Sequence, residues 1–209
     1  MSRARSRFPS HGDVADRALR RRKPARPKFL VPWHAGLGVL AIALGFAGSL
    51  RGQSTHEYDL KAVLIFNFTQ FVEWPPTAFA RDDAPFVIGV LGRDPFGRAL
   101  DDVVRTETCG NRRIEVVRFT SAEAIRDCHI LFISETESAN LARILAVLGR
   151  RPILTVGDFE GFSLRGGMMR FKKSPEGKIQ LRINLDVVKA ANLVVSAKLL
   201  RIAEIVRTN

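Results

Sequence analysis

The chain has 209 residues, with 33 Lys and Arg against 21 Asp and Glu and a formal net charge of +12. Eleven of the basic and two of the acidic residues lie in residues 1–51, which leaves 22 basic and 19 acidic residues, a net +3, for everything that follows. A body so nearly balanced excludes the nucleic-acid partner that a pI of 10.8 suggests. Two cysteines and four scattered histidines exclude a four-ligand structural zinc site.

The basic stretch Arg20-Arg21-Arg22-Lys23 with Arg26 and Lys28 leads into an uncharged apolar run over 35–50 that ends on Ala47, Gly48 and Ser49. A charged n-region, a short h-region and small exit residues describe a secretory signal. The run is shorter than the ~20 residues of a comfortable membrane span, so a cleaved signal peptide leads and an uncleaved anchor is the alternative. Basic residues ahead of the run put the body across the membrane. Residues 1–52 therefore read as leader, and 53–209 as one domain of single-core size.

Glu57–Trp74 reads as a helix, with Leu60, Val63, Leu64, Phe68, Phe71 and Val72 as its core stripe, Ile65 and Phe66 outside that stripe, and Pro75-Pro76 as its stop. Strands are expected at Phe86–Leu91, Arg113–Phe119, Ile130–Ser134 and Ile153–Val156, with helices at Pro95–Arg105, Ser121–Arg126 and Glu137–Leu148 between them. Such alternation implies βαβ units. Met168–Lys173 and Ile179–Asn184 flank the turn Ser174-Pro175-Glu176-Gly177 and read as a hairpin at the sheet edge. Asn184 caps a helix to Ala191, Asn192 suits a left-handed C′ position, Leu193–Val195 is extended, and Ser196 caps a last helix to Val206. The class is α/β: a single three-layer domain, its sheet mostly parallel with helices on both faces and an antiparallel C-terminal hairpin.

Candidate functional residues are few. The loops Gly92-x-Asp94-Pro95-Phe96-Gly97 and Asp158-x-x-Gly161-Phe162 each follow a strand, and in a parallel sheet share its carboxyl edge, where ligands of open α/β folds bind. Asp94, Phe96, Asp158 and Phe162 are thus candidate ligand-loop residues. A plain N-cap and a plain turn explain the same residues. Cys109 and Cys128, in an exported body, are candidates for a disulfide between neighbouring strand entrances; a free buried Cys128 is the alternative. Lys61, Asn67, Glu73 and Trp74 lie on the first helix, and Phe66 and Trp74 are candidate partner anchors or core residues. Lys198 and Arg201 share a face of the last helix and present charge to a partner or to solvent. With no G-x-S-x-G, H-E-x-x-H, G-x-G-x-x-G or P-loop lysine, no catalytic, cofactor or metal residue is assigned.

One further signal is the order of short blocks: E-Y-x-L-K-A-x-x-x-x-N-F-x-x-F-V-E-W-P from Glu57, F-V-I-G-V-L-G-x-D-P-F-G from Phe86 and C-H-I-L-F-I-S from Cys128. P-I-L-T-V-G-D-x-x-G-F follows from Pro152, G-G-M-x-x-F from Gly166, and I-N-L-D-x-x-x-x-A-x-L-x-x-S-x-K-L-L-R-I-A from Ile183. In this order the blocks resemble the YfiR family. The resemblance implies a periplasmic homodimeric regulator that binds and represses a membrane-bound diguanylate cyclase, without cofactor or catalysis. Some family members hold a second cysteine pair, which is missing here, so the resemblance gives no support to redox sensing.

Overall fold

The computed structural model describes residues 51–207, with side chains from residue 56 onward. The expected leader lies outside the described residues except for Arg51 and Gly52, which open the first helix, α1 (Arg51–Phe71). Among the described residues no helix is long and apolar enough to cross a membrane.

α1 ends three residues earlier than its apolar pattern suggests. Val72–Glu73 is a short strand, β1, and Trp74 precedes Pro75, which disfavours helical backbone at the residue before it. Then come β2 (Phe86–Leu91), α2 (Ala99–Val104), β3 (Thr108–Cys109), β4 (Arg112–Phe119) and β5 (Ile130–Ile133). The expected helix at Ser121–Arg126 is a single 3-10 turn, and a 3-10 segment over Glu135–Asn140 leads into α3 (Leu141–Leu148). β6 (Leu154–Gly157) precedes the antiparallel hairpin of β7 (Met169–Lys173) and β8 (Ile179–Asn184).

Asn184 then caps α4 (Leu185–Ala190), its side chain accepting from the Val187 amide, and Asn192 adopts φ 57° beyond the helix end. β9 (Val194–Val195) pairs antiparallel with β1, and Ser196 caps α5 (Ala197–Ile202). The expected continuation of that helix to Val206 fails. Ala203–Val206 is a strand, β10, parallel to β8, so the hairpin lies inside the sheet rather than at its edge.

The sheet order is β10-β8-β7-β6-β5-β2-β4-β3. From β2 the chain goes first to β4 on one side and then crosses to β5 on the other, so the β2/β5 boundary is a topological switch point. Side chains alternate along each strand. Phe86, Ile88, Val90, Ile130, Phe132, Leu154 and Val156 face one core with α1, α2, α4 and α5. Leu91, Leu131 and Ile133 face a second core with α3, Ile125, Cys128, Phe159 and Phe162. The fold is thus the expected three-layer α/β domain with helices on both faces.

The face that α1 buries differs from the apolar stripe. Ala62, Ile65, Phe68 and Val72 are buried together with Lys61 and Thr69, whereas Leu60 is 47% and Val63 40% exposed. A lysine on the buried face disguises the stripe, and its burial has a specific cause in the site.

Candidate functional site

Beyond the carboxyl ends of β2, β5 and β6 lies a cleft of about 250 Å³, lined by Tyr58, Arg93, Pro95, Phe132, Ser134, Glu135, Thr136 and Asp158. The loops after β2 and β6 therefore share this edge, at the switch point where open α/β sheets leave a crevice. Gly92, with φ 87°, turns the chain sharply after β2, and Thr136 Oγ1 accepts from the Arg93 amide at 3.1 Å, joining the loops after β2 and β5.

Neither acidic loop residue is free for a cationic ligand. Asp158 Oδ2 accepts from Lys61 Nζ at 2.6 Å and from the Tyr58 hydroxyl at 2.9 Å, and its side chain is only 8% exposed. Lys61 also pairs with Glu57 at 2.8 Å and lies 4.2 Å from the Tyr58 ring centroid. Glu57 in turn meets Lys173 at 3.0 Å. The Lys61 hydrogen bond, above all, holds the Glu57 carboxyl below its ordinary range. Burial first, and then the Asp158 charge, push the Tyr58 phenol above its own range and keep it a donor.

Asp94 is equally committed. Its Oδ1 accepts from the Phe96 amide at 2.7 Å, and its Oδ2 pairs with Arg118 Nε at 3.0 Å. Arg118 also grips Asp101 through both oxygens and the Gly97 carbonyl, and it holds the Asp101 carboxyl below its ordinary range.

The aromatic candidates in these loops are core residues. Phe96 is 5% exposed and packs edge-on against Phe132 and Tyr58. Phe162 is fully buried in the other core, seated over Gly157 and Gly167. What the cleft offers a ligand is the exposed Arg93, Glu135, Thr136 and the edge of the Asp158–Tyr58 pair. Its lining has neither His nor Cys, and the Ser134 hydroxyl oxygen accepts from Thr136 Oγ1 at 3.3 Å. Among the described residues no group of three His, Cys, Asp or Glu could hold a metal ion.

The expected Cys109–Cys128 disulfide is absent; both residues are free thiols. The entrances of β4 and β5 are not neighbours, because β2 lies between those strands. Cys128 packs into the α3-side core over Gly89, while Cys109 packs on the α1 side, its thiol directed at the Thr69 carbonyl at 3.7 Å. Burial pushes the Cys128 thiol up to about 12 and raises that of Cys109.

Of the candidate anchors, Trp74 is half-buried, donates from Nε1 to the His129 carbonyl at 3.1 Å and meets Phe86 edge-on at 4.8 Å. Phe66 is half-buried against the same core. Asn67 lines an apolar groove with Leu64, Phe71 and Ile202, while Glu73, Lys198 and Arg201 are exposed. His129, 1% exposed, accepts the Val87 amide at Nδ1 at 3.0 Å and stacks on Phe79 and Phe86. Tyr58, Arg93 and Arg118 escaped the sequence reading. Tyr58 and Arg93 sit in the first and second blocks as ordinary-looking residues, and nothing local marks Arg118 as the counter-ion of Asp94.

Fold and site together define a small α/β domain with a crevice at the sheet's switch point. A family model described as YfiR/HmsC-like matches residues 58–204, and the chain belongs to that family, one of regulatory domains. No curated protein matches the sequence. Among solved structures, the chain is similar to a conserved domain protein from Vibrio cholerae O1 biovar El Tor, at 13% identity and TM-score 0.49, covering 73% of this chain and 60% of that one. It is also similar to an ABC domain from Streptococcus pneumoniae in complex with L-Trp, at 10% identity and TM-score 0.46, covering 71% and 60%. The chain thus spans three-fifths of each, and neither likeness bears on function.

Proposed function

We propose that the protein is a periplasmic repressor of an inner-membrane diguanylate cyclase, which it binds through the cyclase's periplasmic region and holds inactive, lowering cyclic di-GMP. The observation that carries this reading is the family match over 58–204. The mechanism is a population shift. Preferential binding to the inactive cyclase by about 1.4 kcal/mol biases the equilibrium tenfold. The protein acts as a homodimer, for which the exposed Leu60 and Val63 of α1 offer apolar surface. With both cysteines free on opposite faces of the sheet, redox control through a bond between them is no part of this reading.

The test is co-purification of the tagged, exported protein with membrane proteins of its host, read by mass spectrometry. Recovery of a cyclase supports repression; recovery of none sinks it. The switch-point cleft favours a second reading, in which the domain senses a small polar metabolite and acts on another signalling partner. Native mass spectrometry of the purified protein would show that metabolite as a bound mass.

A further inference from the structure

Among the described residues, β7, β8 and β10 contribute no side chain to the α3-side core. Met169, Phe171, Leu181 and Ile183 point from β7 and β8 into the α1-side core, so Arg170, Lys172, Gln180 and Arg182 project from the opposite face. On that face the register sets Arg170 directly across from Arg182. Like charges in directly opposed cross-strand positions destabilise a sheet.

Only one member of the pair has a carboxylate partner among the described residues. Glu204 of β10 takes Arg182 through both oxygens, at 2.7 and 3.0 Å, and also lies 3.9 Å from Lys172. Arg170 has no ion pair among the described residues. The Nε atoms of Arg170 and Arg182 are both buried without an acceptor, although neither residue as a whole is buried. Arg182 and Lys172 therefore share one carboxylate, Arg170 has none, and the two Nε donors are left unmet within the domain, a costly arrangement that an outside acceptor would relieve.

We propose that this face of β7, β8 and β10 is the docking surface for an acidic segment of the partner protein, whose carboxylates are forked by Arg170 and Arg182. Guanidinium matches a carboxylate with two parallel N–H···O bonds, a geometry that two facing arginines double. The near-balanced charge of the whole body places this attraction in the patch rather than in a general basic field. The proposal names the surface and the partner's chemistry, and it rests on the repressor reading only for which protein carries the acidic segment.

Two arms separate the claims. In the first, the purified protein is titrated by fluorescence anisotropy with a labelled Thr-Glu-Thr-Glu-Thr-Glu peptide and with its Gln counterpart. Salt-dependent binding of the Glu peptide alone is expected, weakened at least tenfold by Arg170→Gln, partly by Arg170→Lys, and not by Arg150→Gln on the far turn. Equal binding of both peptides, no binding of the Glu peptide, or indifference to Arg170→Gln overturns the surface. In the second arm Arg170→Gln is carried through the membrane co-purification. A cyclase recovered equally by wild type and variant overturns the surface and leaves repression standing. Peptide binding with no cyclase recovered does the reverse. The variant removes a like-charge contact, so its melting temperature should equal or exceed that of wild type, and Arg170→Lys covers the case in which it does not.

Discussion

Lys61 and Asp158 are 97 residues apart in sequence and meet at 2.6 Å, with side chains only 5% and 8% exposed. This contact fastens α1 to the loop that follows β6. It also explains why a lysine occupies the buried face of the helix.

Breaking it from one side should be costly. Lys61→Met leaves the Asp158 carboxylate buried with only the Tyr58 hydroxyl, and a loss of about 3–5 kcal/mol is expected in urea unfolding. The double variant Lys61→Met with Asp158→Leu should recover much of that loss. A single variant within about 1 kcal/mol of wild type would show that the pair contributes nothing.

Acidification should destabilise the fold through His129. Burial, reinforced by the nearby Arg112 charge and opposed by Asp127, depresses its folded-state value to about 4 from an ordinary 6.5. Between those values the unfolded chain binds the additional proton, so stability is full above pH 6.5 and falls as the pH drops towards 4, by roughly 3 kcal/mol. Glu57 and Asp101, depressed by their cationic partners, add losses of the same sign below their ordinary values. The difference between wild type and His129→Asn, whose side-chain oxygen can still accept the Val87 amide, isolates the histidine. Parallel curves for the two proteins across pH 6.5–4 would refute its role.

Thiol labelling should find two cysteines and no bond. In the native protein Cys109, half-buried at the edge of the α1-side core, should react slowly, and Cys128, 6% exposed, only on unfolding. Dithiothreitol should leave the melting temperature unchanged. An intact mass two hydrogens short would show that the bond forms after all.

Gly157 and Gly167 should resist substitution. An added Cβ would meet the Phe162 ring at 2.6 Å from Gly157 and at 2.2 Å from Gly167, and that ring is fully buried. Gly167→Ala should cost about 1–3 kcal/mol in thermal or urea unfolding, and Phe162→Leu should relieve part of it in the double variant. Additive losses would show that the ring is not the obstacle.

Much of the fold was legible in local pattern. The strands that alternate with helices, the caps at Asn184 and Ser196 and the left-handed Asn192 need only near neighbours to specify them. Three features were not local. α1 buries Lys61 because of an aspartate 97 residues away. Ala203–Val206 continues an apolar helical pattern, yet β8 offers it a parallel edge. The Cys109–Cys128 expectation required β4 and β5 to be neighbours, and strand order is not written in either strand. In the site, the sequence brings the Asp94 and Asp158 loops to one edge, but not the cations that already occupy them. Phe96 and Phe162 look the same in sequence whether they line a mouth or fill a core.

The central place of β2 governs when the crevice can exist during folding. Its two parallel pairings, Phe86 with Ile114 and Ile88 with Ile130, close loops spanning 28 and 42 residues. The longer closure costs only about 0.4 kcal/mol more in chain entropy, so neither partner is strongly favoured to arrive first. Arg93 and Ser134 come to line one cleft only after β5 has docked, however β4 has fared. The crevice is therefore a product of long-range closure, and a nascent chain that has not yet emitted β5 has every residue of the β2 loop and no site.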